Sequence, residues 1–274
     1  PKFQLNYLWL PAILYLPSNQ IVFMHSFINV AIICLPFLSL SCQENSATTP
    51  KGNPSTFQSD SSLDFLKLPE GFKVNIYAEV DDARSLVYKD GVLIVGSRKN
   101  DYITVLIDRD KDHKPDTSYS LGTSMEMPNG VALQNGNLYV AEVSRVWKYS
   151  GFMNKRENPP KAEIIIDGLP TDRHHGWKYI NFGPDGKLYV PVGAPCNICD
   201  VDSPYCSLIR FDEDGSNPVL VARGIRNTVG FDWHPTSEKL YFTDNGRDHL
   251  GDNKPPDELN RIDEEGEHFG YPYC

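Results

Sequence analysis

A chain of 274 residues with 40% hydrophobic content can bury one large core or two small ones. Its 20 glycines, 21 prolines and 14 tyrosines favour short strands and turns over a helical bundle. The formal net charge of −10 excludes recognition of nucleic acid through its phosphates, which needs a basic face, and suits a soluble surface and cation binding.

Residues 1–23 begin with Pro1 and contain no Met, whereas Met24 precedes HSFINVAIICLPFLSLSC, an apolar run that ends in small residues and Cys42. From Phe27 to Ser41 the run has the length of a signal-peptide core and falls short of the roughly 20 residues that span a bilayer. Met24 is therefore read as the start of an exported chain, although no basic region precedes the apolar run. LNYLWLPAILYLP is read as translated upstream sequence, with a membrane segment as the alternative. Ser39-Leu40-Ser41-Cys42 resembles a bacterial lipoprotein box, which implies a lipidated Cys42 and attachment to a bacterial membrane, at the periplasmic or cell surface; a plain secretory cleavage site is the alternative. After this leader of residues 1–42, residues 43–64 form a tether rich in Ser, Thr, Asn and Pro that cannot build a core, and one domain follows from 65 to 274.

Leu68-Pro69-Glu70-Gly71-Phe72 opens that domain, and Lys73 to Val80 alternates as a strand does. One pattern then returns: a polar turn followed by a Leu-aliphatic or Leu-aromatic strand, as DGVLIVGS, NGNLYVAE, DGKLYVPV and SEKLYFTD. Leu93, Leu138, Leu188 and Leu240 mark the repeats at intervals of roughly 45 to 52 residues. A second short strand precedes several of them, as in Gly130–Leu133 and Val229–Trp233. Repeats of this length with several short strands predict blades of an all-β propeller; a β-sandwich would show shorter, less regular spacing. About four blades fit between residue 71 and Tyr271-Pro272-Tyr273-Cys274, where no closing strand follows, and the chain is read as part of a propeller of six blades.

The cysteines beyond the leader are Cys196, Cys199, Cys206 and Cys274. Cys196-Asn197-Ile198-Cys199 lacks the histidine of a haem-attachment site and the second CxxC of a zinc site, so a local disulfide is predicted. Asp108, Asp110, Asp112 and Asp116 have the spacing of a calcium loop, but His113 stands where such a loop needs Gly, and a solvated acidic turn is predicted.

The functional signal centres on DRHHGWKYINFGPDGKLYVPVG at 172–193, where two vicinal histidines stand at the mouth of a strand. This stretch, with APCNIC at 194–199, ARGIRNTVGFDWHP at 222–235, TDNGRD at 243–248, DELNRI at 257–262 and HFGYPYC at 268–274, resembles the pyrroloquinoline-quinone-dependent sugar dehydrogenases of the soluble glucose dehydrogenase and sorbosone dehydrogenase group. The resemblance runs from about residue 66 to the end and is specific in the last hundred residues. It implies oxidation of a sugar or sugar aldehyde by hydride transfer to the quinone, with an external electron acceptor. His175 is the implied general base, with His174 as the alternative; strand-like alternation lets only one of the two face the pocket. Arg226 and Asn227 are implied to contact the quinone, and Lys178 is a weaker candidate for the same anion. The resemblance also implies calcium, held by main-chain oxygens of Gly246 and Arg247, and a structural calcium drawing on Asp257 and Glu258; an inserted DHLGDNKPP lengthens this loop. Two other functions stay open: a calcium-dependent propeller lactonase, which needs converging side-chain ligands, and a non-catalytic propeller that binds glycan or protein.

Overall fold

The computed structural model describes residues 12–16, 20–26, 63, 65–251 and 253–273. The apolar run at 27–41, Cys42, the tether through residue 62, and Cys274 lie outside the described residues. The chain divides into two units, one comprising residues up to Glu79 with Asp112–Lys114 and the other Val80–Lys111 with Pro115–Cys274.

The first unit holds a three-stranded antiparallel sheet of β1 (Ala12–Leu16), β2 (Gln20–Ser26) and β3 (Phe72–Glu79). β1 pairs with β2 from Ala12 opposite Met24 to Leu16 opposite Gln20, and β2 pairs with β3 from Gln20 opposite Glu79 to Ser26 opposite Phe72. Residues on both sides of Met24 are thus strand where the sequence suggested leader. Their runs of Ile, Leu, Tyr, Val and Phe are as compatible with a pleated ladder as with a leader.

The second unit is built from four sheets, the blades of a β-propeller. The first is the meander β4 (Ala83–Lys89), β5 (Val92–Ser97), β6 (Ile103–Ile107) and β7 (Thr117–Leu121). The second is β8 (Gly130–Gln134), β9 (Asn137–Ala141), β10 (Val146–Tyr149) and β11 (Glu163–Ile166). In the third, β12 (Asn181–Phe182), β13 (Leu188–Val192), β14 (Ser207–Phe211) and β15 (Val219–Arg223) run antiparallel, and β19 (Glu267–His268) adds parallel to β15. The fourth comprises β16 (Phe231–Trp233), β17 (Leu240–Asp244) and β18 (Glu258–Arg261).

The repeat leucines all fall on the second strand of a blade, on β5, β9, β13 and β17. Alternation within these strands explains the stacking. On β9, Leu138 and Val140 pack with Val92, Ile94, Val105 and Ile107 of the first blade. Tyr139 and Ala141, pointing the other way, pack with Leu188, Val190, Ile209 and Phe211 of the third. Tyr189 and Leu208 of the third blade in turn meet Phe231, Leu240 and Phe242 of the fourth. Both faces of an inner strand are therefore buried, so these strands read as continuous apolar runs.

Burial also ranks the leucines energetically. Leu138 is fully buried, whereas Leu259 on β18 is 71% exposed. Leu138→Ala is expected to lower unfolding free energy by about 2–5 kcal/mol and Leu259→Ala by less than about 0.5 kcal/mol, as read from urea denaturation midpoints.

Candidate active site

The loops between strands of the third and fourth blades carry the site. His175 sits in the loop before β12 with a left-handed backbone, φ 51°, a conformation that a side chain bearing Cβ adopts only when its surroundings hold it there. Its ring is buried, and Nδ1 lies 2.9 Å from the carbonyl of Ala194. A carbonyl can only accept, so Nδ1 carries the proton and Nε2 is the basic lone pair. Burial drives the His175 pKa down to about 4, helped by the charges of His174 and Arg226 and opposed by the Ala194 bond and Asp248. The imidazole is therefore neutral at pH 7. His174 is exposed, its ring centroid 4.1 Å from that of His175.

Ala194 joins this histidine to the second element of the site, because its N–H donates to the Arg226 carbonyl at 2.8 Å. The preceding Gly193 leaves the space for both. A Cβ there would stand 2.7 Å from the His175 Cβ and 3.4 Å from the Arg226 oxygen. Arg226 is only 3% exposed. Its Nε donates to the Asn197 carbonyl at 2.9 Å, Nη1 to the Asn245 carbonyl at 3.0 Å, and Nη2 to Asn197 Oδ1 at 2.8 Å and Asp248 Oδ2 at 3.0 Å. The backbone is held as firmly: the Asp244 carboxylate accepts the N–H groups of Arg226 and Asn227 at 3.0 and 2.7 Å. Burial nevertheless pushes the Asp244 carboxyl up to about 6 against those two bonds.

Arg226 opens onto a cavity of about 170 Å³ shared with Asp244, Asn245, Gly246, Arg247 and Glu258, and walled on its other side by Pro255, Pro256, Phe269 and Tyr271. Asn245 Oδ1 is buried there with no hydrogen-bond partner. Of the residues singled out in the sequence, Arg226, Gly246, Arg247 and Glu258 come together at this cavity. His175 is linked to it through Ala194 without lining it. Asn227 is buried beside it, and Asp257 stands behind the loop, where its Oδ1 accepts the Gly246 N–H at 2.9 Å. Lys178 turns away: its side chain is buried and donates to the Gly176 carbonyl at 2.5 Å, and desolvation lowers its pKa to about 8.

Four residues of the site had no separate sequence signal: Asn197, Asp244, Asn245 and Asp248. Cys196 and Cys199 form a disulfide, as their spacing predicted, while Cys206 is a buried free thiol. In the acidic turn, the carboxylates of Asp108, Asp110 and Asp116 converge to within 4.8 Å of one another, Asp108 buried and the others exposed. The Asp116 carboxylate accepts the Arg109 N–H at 2.6 Å, a bond that closes the turn.

Known proteins share this architecture. The calcium structure of a Trichoderma reesei family AA12 carbohydrate-active enzyme superposes with a TM-score of 0.60 at 18% identity, covering 70% of this chain and 56% of that one. The holo form of the pyranose dehydrogenase PQQ domain from Coprinopsis cinerea gives 0.58 at 16% identity, covering 70% and 54%. The PQQ-bound aldose sugar dehydrogenase of Streptomyces coelicolor gives 0.53 at 23% identity, covering 71% and 64%. In sequence, an uncharacterized protein of Borreliella burgdorferi is 31% identical over 221 residues, which are 76% of this chain and 56% of that protein. The chain thus spans little more than half the length of the curated relative it matches. The model of the TrAA12-like family matches residues 66–274, and with them every residue of the site, so the chain belongs to the TrAA12-like family.

Proposed function

We propose that this chain carries the base and the anion-binding side of a quinone-dependent sugar dehydrogenase, one that oxidises a sugar or sugar aldehyde and passes the electrons to an external acceptor. The observation that carries the reading is the pairing of a neutral, buried His175 with a buried Arg226 through the single residue Ala194. The family supports it, as do fold relatives described as a PQQ domain of a pyranose dehydrogenase and a PQQ-bound aldose sugar dehydrogenase.

The donors present fit the groups this requires. A buried guanidinium at a cavity suits a planar polycarboxylate such as pyrroloquinoline quinone. The unpaired Asn245 Oδ1, with Glu258 and the backbone of Gly246 and Arg247 around the same cavity, is an oxygen-rich set suited to calcium. When bound, the quinone would supply a hydride acceptor and the calcium ion a fixed positive charge. In this reading His175 Nε2 takes the proton of the substrate hydroxyl. The Nδ1–H stays on the Ala194 carbonyl, which fixes the ring and stabilises the imidazolium that forms. Arg226 donates to the anion in the cavity and offsets part of its charge, and this also weakens the field that holds His175 neutral.

Export belongs to the same proposal. The Cys196–Cys199 disulfide suits an oxidising compartment, and lipidation of Cys42 would attach the protein to a membrane. Metabolic labelling with palmitate is expected to mark wild type and not Cys42→Ser.

The test of the catalytic reading is a titration of the complete protein with pyrroloquinoline quinone and calcium while dye reduction by aldoses and sugar aldehydes is followed. His175→Ala is expected to keep quinone affinity and lose about 10²–10⁴-fold in kcat. Unchanged turnover would remove His175 from the reaction. Lactone hydrolysis without quinone would establish a hydrolase instead, and a folded protein that takes up no quinone would leave a binding propeller.

His175 also sets a pH dependence of stability. Its pKa is about 4 folded against 6.5 as the ordinary value, so the unfolded chain binds more protons between these limits. The contribution of neutral His175 is complete above pH 6.5 and is lost as pH falls through 4. Relative to wild type, His175→Gln should gain on the order of 2 kcal/mol between pH 7 and pH 4, measured by urea denaturation at each pH.

A further inference from the structure

The disulfide loop Cys196-Asn197-Ile198-Cys199 does more than close on itself. Asn197 takes two of the four hydrogen bonds donated by the Arg226 side chain, one through its carbonyl and one through Oδ1. The same Oδ1 accepts the Asp248 N–H at 2.8 Å, and Nδ2 donates to the Asp248 carbonyl at 3.2 Å. Among the described residues, every hydrogen bond made by the Asn197 side chain and carbonyl therefore goes to Arg226 or to Asp248, the residue that holds the outer edge of the guanidinium. Within the loop itself, the disulfide ring is the covalent constraint on this placement. The four-residue loop lies outside any strand and Ile198 is 47% exposed. The disulfide closes it, and the Cys199 N–H is anchored on Tyr271 Oη at 2.9 Å.

We infer that Asn197 is the positioning residue for Arg226, and that the Cys196–Cys199 disulfide holds it in register, so that the oxidised loop orients the guanidinium for an anion in the cavity and the reduced loop releases it. The release is an ordinary exchange. A dithiol reductant attacks one sulfur, the S–S bond breaks, two cysteine thiols form, and the reductant leaves as its own disulfide. Because four hydrogen bonds define the plane of the guanidinium, freeing Asn197 removes two of them and loosens the Asp248 contact as well. Arg226 then keeps its charge and loses its aim.

The clamp exists without any cofactor, and only its consequence for quinone binding rests on the function proposed above. Two readouts separate them. The first is the exchange of the Arg226 side-chain Nη–H groups in ¹⁵N spectra of the cofactor-free chain, assigned by their absence in Arg226→Lys. They are expected to exchange slowly with solvent in wild type and at least about tenfold faster in Asn197→Ala, which removes the Oδ1 that Nη2 meets and keeps the carbonyl that Nε meets, in Cys196→Ser/Cys199→Ser, and in wild type folded first and then treated with dithiothreitol. The second is the Kd for pyrroloquinoline quinone, followed by fluorescence in the complete protein. It should rise about tenfold in Asn197→Ala and show no further rise when that change is added to Arg226→Lys. A residue that merely supports the fold would cost the same in both backgrounds.

Unchanged Nη–H exchange in folded Asn197→Ala overturns the positioning role, and exchange unaffected by dithiothreitol overturns the part assigned to the disulfide. Equal Kd penalties with and without Arg226 overturn the coupling to binding. A wild type that takes up no quinone defeats the dehydrogenase reading, and the exchange measurement then decides the clamp by itself.

Discussion

A guanidinium keeps its proton at any working pH, so an arginine only 3% exposed must be surrounded by acceptors, and that demand orders the loops of the last two blades. Asn197 comes from the loop after β13, Asn245 and Asp248 from the loop after β17, and Asp244 at the end of β17 secures the backbone of Arg226 itself. Blade stacking brings these segments to one place around the guanidinium. The balance of charge is incomplete by design of the contacts. Three of the side chain's four acceptors are neutral amide oxygens, and the single carboxylate among them belongs to Asp248, whose side chain is 64% exposed. The charge of the buried cation is therefore only partly offset by its own side-chain contacts. His175 registers that charge, since Arg226 is among the charges that depress its pKa.

Ala194 is the hinge of this arrangement. One residue serves both functional segments, its carbonyl accepting from His175 Nδ1 and its N–H donating to the Arg226 carbonyl. The space that lets it do so is the missing side chain of Gly193, against which the His175 Cβ rests. A rigid strand, β13, ends immediately before this pair. The site is thus mounted on the best-packed part of its blade, where Leu188 and Val190 are fully buried. Tying the ring of His175 to a residue just past the end of an inner strand fixes it more firmly than its own loop could.

The blades were legible because their inner strands bury both faces, and that need wrote itself into the sequence as the LIV, LYV and LYF runs at Leu93, Leu138, Leu188 and Leu240. The strand β12 is only Asn181–Phe182 and leaves no comparable trace. That only one of the vicinal histidines turns inward was legible as well, since neighbouring residues point apart; the structure buries His175 and exposes His174, a choice that alternation does not make. Lys178 shows where proximity in sequence misleads. A lysine three residues past the histidine reads as a second cation for the site, yet its ammonium is folded back onto Gly176. Asn197 shows the converse. Its cysteine neighbours draw a reading from their spacing, whereas its own role is a contact across 29 residues that no local pattern encodes. Residues 12–26 could not be resolved from composition alone, because an apolar stretch suits a strand as well as a leader.

The unequal exposure of the guanidinium's partners bears on how such a site could load. Asn197 and the Asn245 carbonyl hold the arginine from the buried side, and giving up either would strand a charged donor away from water. Asp248 holds it from solvent, and an ion pair with one partner so exposed contributes little, of the order of 0–1 kcal/mol. An incoming carboxylate that replaces Asp248 exchanges this weak, hydrated contact for one in the cavity, where the dielectric is lower and the geometry is already set. The displaced aspartate returns to water at small cost. In the proposed reading the inner acceptors therefore define orientation, and the outer carboxylate is the contact that an incoming anion replaces.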